Sequence, residues 1–170
     1  MLDAGANSSG FEGLAVTGDG GTEYVYAVIQ REWASDPIGF VKIARYDGAV
    51  GEWTFVAYAL DTLARTGQPS RAEITDAAIS ERDNQAGSAA RIKRIYGVDL
   101  AAADFQPFVA GSPLPVVPKT LLTDVLDVLA ANSVWTPDKL EGLGVAADVQ
   151  PQKAVRHAVS GGRANGPYDW

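Results

Sequence analysis

The sequence predicts an all-β fold: a partial β-propeller of antiparallel four-stranded blades, two to three of them, with a short helix near residues 123–131. Two observations carry this expectation. Residues 11–61 read as four short β-rich segments joined by tight Gly turns, the pattern of an antiparallel meander. The order of that unit then recurs along the chain, and repetition of one four-stranded sheet is the sequence mark of a propeller.

The first unit opens with FEGLAV (11–16), followed by the turn TGDGG. Asp19-Gly20 is a hairpin signal, because Gly accepts the positive φ that such a turn demands. EYVYAVIQ (23–30) is the next strand, and REWASDPIG is a loop broken by Pro37 and Gly39. FVKIARYD (40–47) alternates, with Val41, Ile43 and Arg45 opposite Phe40, Lys42 and Tyr46. DGAVGE turns the chain into a fourth strand, WTFVAYALD (53–61).

FEGL (11–14), AEIT (72–75) and LEGL (140–143) each place an apolar residue before a Glu, at intervals of roughly 60–70 residues. KIARYD (42–47) has an echo in RIYGVD (94–99), and WTFVAYALD has a looser one in KTLLTDVLD (119–127). These periods exceed those of ordinary blades, so long loops between strands are expected. The second unit is about nine residues shorter than the first between its Glu and its basic strand. That shortfall predicts a missing strand, with AEITDAAISERDN serving for two. GSPLPVVP (111–118) reads as a semi-rigid extended connector. TLLTDVLDVLAAN (120–132) reads as a strand to about Thr123 and then a helix. Residues 1–148 form the propeller fragment. Residues 149–170 shift to Gly, Pro, Arg and Gln and read as an irregular tail, as a changed reading frame or a joined unrelated end would give.

A 170-residue chain with 46 % hydrophobic and 21 % charged residues is globular, and its length suits one domain or a piece of a larger one. Its net charge of −7 argues against a nucleic-acid partner, whose phosphates need a positive surface. The absence of Cys removes disulfides, zinc-thiolate sites and thiol nucleophiles. No apolar run is long enough for a membrane span, and the N-terminal residues do not read as a signal peptide.

The chain has no G-x-S-x-G elbow, no GK[ST] phosphate loop and no G-x-G-x-x-G. Its one His, His157, falls in the tail, which argues against a Ser-His-Asp triad or a His-ligated metal. What remains is carboxylates. Glu12, Glu73 and Glu141 hold equivalent repeat positions and could converge at one end of a propeller axis, with Glu81 and Asp83 close by in the middle unit. Clustered oxygen ligands without His or Cys suit a hard cation, Ca²⁺ before Mg²⁺. The alternative is that each Glu caps a strand or pairs with an Arg such as Arg82 or Arg91. On the same residues ERDN (81–84) is either a plain polar turn or part of a site.

FEGLAV, ERDNQAG, ARIKRIYGVDL and KLEGLGVAAD together resemble the phytase-like domain, the "esterase-like activity of phytase" family of bacterial secreted and periplasmic proteins. The match of order and spacing runs from Gly10 to about Asp148, and RDNQAG followed by ARIKRIY is its most specific part. The resemblance implies a propeller-like domain whose acidic residues bind metal and support phosphoester hydrolysis of a small substrate. Carried over, the metal set is Glu12, Glu73, Glu81, Asp83 and Glu141. Glu81, Arg82 and Asp83 are the catalytic candidates, and Arg82 and Asn84 would position substrate oxygens. Calcium would clamp the phosphate and acidify a bound water, with Arg82 sharing the charge of the transferring group. The chain departs from the pattern in lacking N-terminal blades and the strand between its E-I segment and ERDN. An unclosed ring exposes sheet edges, which predicts self-association. A non-catalytic binding or scaffold module is the alternative reading.

Overall fold

A computed structural model describes residues 10–19, 22–34, 36–62, 71–75, 78–140 and 143. They form two antiparallel four-stranded sheets and one short helix. In the first sheet, β1 (Phe11–Asp19), β2 (Thr22–Ile29), β3 (Phe40–Asp47) and β4 (Glu52–Ala59) lie side by side in chain order. The second repeats the plan with β5 (Arg71–Thr75), β6 (Ala78–Arg82), β7 (Lys93–Val98) and β8 (Lys119–Asp124). The echo of KIARYD in RIYGVD therefore marks β3 and β7, and that of WTFVAYALD in KTLLTDVLD marks β4 and β8.

The first hairpin closes between Asp19 and Thr22, so β1 runs three residues beyond the expected FEGLAV. A bulge separates Glu12 from Leu14, where Gly13 takes φ 75°. A side chain is disfavoured at that dihedral, which is why a Gly stands there.

The second sheet is not a strand short, contrary to the expectation drawn from the spacing. Most of its nine-residue deficit is absorbed by shortening: β5 and β6 have 5 residues each where β1 and β2 have 9 and 8. Thr75 pairs directly with Ala78, so the pair is a minimal hairpin.

The two sheets stack on a shared apolar layer. Val28, Ile43, Val56 and Tyr58 from the first meet Ala72, Ile74 and Ile79 from the second. Each fully buried aliphatic side chain contributes about 1.5–3 kcal/mol relative to exposure. β5 packs against β1 and β2, which brings the first strands of the two sheets together. The described residues form no closed ring.

The helix α1 (Val125–Ala131) follows β8 directly, close to the expected switch at Thr123. Asp124 caps it by accepting from Leu126 N at 3.0 Å. Val125 and Leu129 pack with Leu140 and Ile95 in a second small core. Residues 105–117 run beside β4, bonding Gln106 to Phe55 and Pro115–Val117 to Ala57. Phe105 and Val117 enter the main core, so the expected connector 111–118 is pinned near its C-terminal end and the segment before it is pinned at Phe105.

Candidate functional site

One cross-strand row of the second sheet carries charge. Ala72, Glu81, Arg94 and Asp124 are paired in sequence across β5 to β8. Paired positions in an antiparallel sheet share a face, so the last three stand side by side. Lys119 begins β8, while Tyr58 and Asp61 come from the end of the first sheet. The network thus spans both sheets.

Glu81 is fully buried. Its Oε1 accepts from the Tyr58 hydroxyl at 2.6 Å and from Lys119 Nζ at 2.5 Å, and its Oε2 accepts from Asp61 N at 2.7 Å. Asp61 is half-buried and accepts from Lys119 Nζ at 2.8 Å, Arg94 Nη1 at 2.5 Å and the Tyr96 hydroxyl at 2.6 Å. Arg94 Nε then donates to Asp124 Oδ2 at 2.9 Å. The Lys119 ammonium lies over the Tyr96 ring at 4.1 Å and the Tyr58 ring at 5.0 Å.

These contacts set the protonation states. Burial acts to raise the Asp61 carboxyl, but bonds from Lys119, Tyr96 and Arg94 outweigh it and hold it below its ordinary value. Burial, the Glu81 charge and the bond to it push the Tyr58 phenol far above its ordinary value. Burial and the bond to Asp61 push Tyr96 up in the same way. Bonds to Asp124 and Asp61 raise Arg94. Asp61, with a depressed pKa and three donors on it, is a poor proton acceptor and a good holder of cations.

A second network organises the turn after β6. Asp83 is buried, and its carboxylate accepts from Lys93 Nζ at 2.7 Å and from the backbone N–H groups of Gln85, Arg91 and Ile92. Burial would raise its carboxyl, yet Lys93 and those N–H groups bring it below the ordinary value. Lys93 is fully buried and also donates to the carbonyls of Asp83 and Asp138, both at 2.8 Å. Arg82 is buried and donates from Nη1 to Asn84 Oδ1 at 2.6 Å, while Asn84 is exposed. Gly87, at φ 53°, lies under Trp135, and its N–H donates to Thr136 O at 2.8 Å. ERDNQAG therefore wraps a buried Asp–Lys pair and is clamped by residues 135–138.

Of the five carboxylates expected to gather round a cation, Glu81 and Asp83 are the two whose side chains are described. Both are occupied by ammonium, hydroxyl and N–H donors, and this pair does not fit a calcium ion, which needs six to eight oxygen ligands. Among the described residues no three His, Asp or Glu side chains are grouped to hold a metal. Glu12 sits on β1 opposite Val28, and Glu73 on β5 opposite Ser80, one row from Glu81. Their side chains, and Glu141 altogether, lie outside the described residues, as do His157 and the tail.

The sequence reading missed Tyr58, Asp61, Arg94, Tyr96, Lys119 and Asp124. The one signal that could have found some of them is alternation along β7, where Arg94 and Tyr96 interrupt an apolar face; nothing local marks Asp61 or Lys119.

A two-sheet antiparallel domain with a buried carboxylate tying one sheet to the other is the class of protein that fold and network define. The chain belongs to the phytase-like family, described as "esterase-like activity of phytase", whose pattern matches residues 3–155. No curated protein and no solved structure matches it. Among the described residues no helix is long and apolar enough to cross a membrane.

Proposed function

We propose that the chain is the phosphoester-hydrolysing domain of a phytase-like protein, acting on a small phosphate ester. Its two sheets are two blades of a propeller-type arrangement, and its place is the periplasm or the extracellular medium. The observation that carries the reading is family membership over nearly the whole chain, joined to two basic donors, Lys119 and Arg94, held by the buried Glu81 and the half-buried Asp61. Lys119 uses two of its three N–H donors on Asp61 and Glu81, and Arg94 is one-third exposed. In this reading Lys119 and Arg94 take substrate oxygens, with Asn84 at the neighbouring turn. Glu81 and Asp83 act as positioning residues rather than by touching substrate, and Arg82 orients Asn84.

Three carboxylates surround two cations in the network, which leaves an excess negative charge that opposes a phosphate dianion. A divalent cation, if bound, would supply the missing positive charge and would acidify a water. The proposal assigns that cation, Ca²⁺, to Glu12, Glu73 and Glu141. The saturation of Glu81 and Asp83 favours the second reading, a non-catalytic binding module.

Hydrolysis of p-nitrophenyl phosphate, with millimolar Ca²⁺ and with chelator, separates the two. Calcium-dependent turnover that is abolished by Glu12→Gln with Glu141→Gln supports the hydrolase. A folded protein with no turnover and no calcium-dependent rise in Tm leaves the binding module. Self-association through the open edges of β1 and β8 belongs to the same reading, and sedimentation across a concentration series tests it.

A further inference from the structure

On the other face of β4 lies a cavity that the reading above does not use. Tyr58 points into the network, while its neighbour Ala57 lines a cavity of about 420 Å³ between β3, β4 and the segment 108–116. That volume falls in the range of small-molecule sites. The wall is built rather than loose. The chain bonds to Phe55 at Gln106, loops outward, and bonds again to Ala57 through Pro115 O at 2.8 Å and Val117 N at 2.9 Å. Pro113 and Pro115 stiffen the returning limb, and Phe108 packs edge-on against Phe55 at 6.0 Å between centroids.

The lining is apolar apart from one charged pair and Ser112 at the mouth. Lys42 is buried, 4 % exposed, and its ammonium is paired to Asp36, which also accepts from Trp33 N at 3.1 Å. The remaining face of that ammonium meets the Trp33 ring at 4.4 Å and the Phe108 ring at 5.2 Å. One of three N–H donors is thus spent on a carboxylate, and the others have aromatic faces rather than oxygens. An anionic ligand would meet the Asp36 carboxylate, and a cationic one would meet Lys42. The pair is neutral overall, so the group it suits is an uncharged acceptor such as a carbonyl oxygen.

We infer that this cavity binds a small, flat, mostly apolar ligand bearing one uncharged acceptor oxygen, the chemistry of an aryl ketone or carboxylic ester, with Lys42 as the donor. The site is separate from the phosphoester reading and stands or falls without it.

The test uses three probes on the full chain: 2-acetonaphthone, naphthalene and 2-naphthyl phosphate, followed by calorimetry and ligand-observed NMR. 2-Acetonaphthone is expected to bind saturably, one per chain, and 2-naphthyl phosphate to be at least about tenfold poorer at displacing it. Lys42→Met, which keeps the apolar stem, should weaken 2-acetonaphthone about tenfold and leave naphthalene within about twofold. Ser112→Trp, an exposed change at the mouth that leaves the core intact, should weaken both. Absence of saturable 2-acetonaphthone binding overturns the proposal. So does native affinity in folded Ser112→Trp, or displacement by 2-naphthyl phosphate at equal or lower concentration. If Lys42→Met does not fold, the Ser112→Trp and displacement results decide the matter.

Discussion

Tyr58 and Glu81 stand on different sheets, and the Tyr58 hydroxyl donates to Glu81 Oε1 at 2.6 Å. A fully buried carboxylate is costly unless its lone pairs are filled, and filling these requires the second sheet to sit where it does. Tyr58→Phe is expected to destabilise the fold by about 1.5–3 kcal/mol, the range for a bond to a charged group. A double-mutant cycle with Glu81→Gln, followed by urea unfolding, should show coupling. Additive effects would mean that the bond does not join the sheets energetically.

The Asp83–Lys93 pair lies deeper than any other described ion pair. Lys93→Met leaves a buried carboxylate with only its backbone donors and should cost about 3–5 kcal/mol. The midpoint of chemical unfolding measures this. A loss under about 1 kcal/mol would show that the pair behaves as a surface one.

The pH profile follows from the shifted groups. Asp61 and Asp83 have carboxyls lowered below the ordinary 3.8. Their stabilisation is fully present above that value and is lost as pH falls below it through the folded-state pKa. Tyr58 and Tyr96 have phenols raised above the ordinary 10.0. Their neutral forms are favoured by the fold, so stability is full below pH 10 and is lost as pH rises above it. A Tm measured across pH should fall on both flanks, and Asp61→Asn should flatten the acid one.

Gly87 combines φ 53° with a neighbour too close for a side chain, since a Cβ there would lie 2.5 Å from Trp135 Cη2. Gly87→Ala should cost at least about 1–2 kcal/mol for the left-handed backbone alone. It should also displace the indole. Tryptophan emission in the variant, compared with the parent, reports the displacement.

The tight turns, the β-branched runs and the recurring order were enough to read seven of the eight strands, because strand formation depends on alternation and turn chemistry within a few residues. The exception is instructive. Spacing predicted a lost strand after AEIT, whereas the chain kept both strands and shortened them, since a sheet needs its rows filled more than it needs long strands.

The candidate site was legible only in part. Glu81, Arg82, Asp83 and Asn84 were found by a shared motif, but their surroundings came from elsewhere. Lys119 lies 38 residues from Glu81, and Arg94 lies 33 from Asp61. No local pattern foretells which cation meets which carboxylate.

The amino-acid order alone determined that this is a mostly β chain of the phytase-like family, with repeated antiparallel sheets and a short helix near residues 123–131. Strand pairing within the second sheet, together with its stacking on the first, decided which donors surround the acidic residues. Tyr58 and Asp61 reach Glu81 from the first sheet, Lys119 reaches it from β8, and Lys93 reaches Asp83 from β7, so both carboxylates are filled by donors from distant segments. The reason is desolvation: a carboxylate shielded from water takes whatever donors the packing delivers, and packing is a property of distant segments, not of neighbours in sequence.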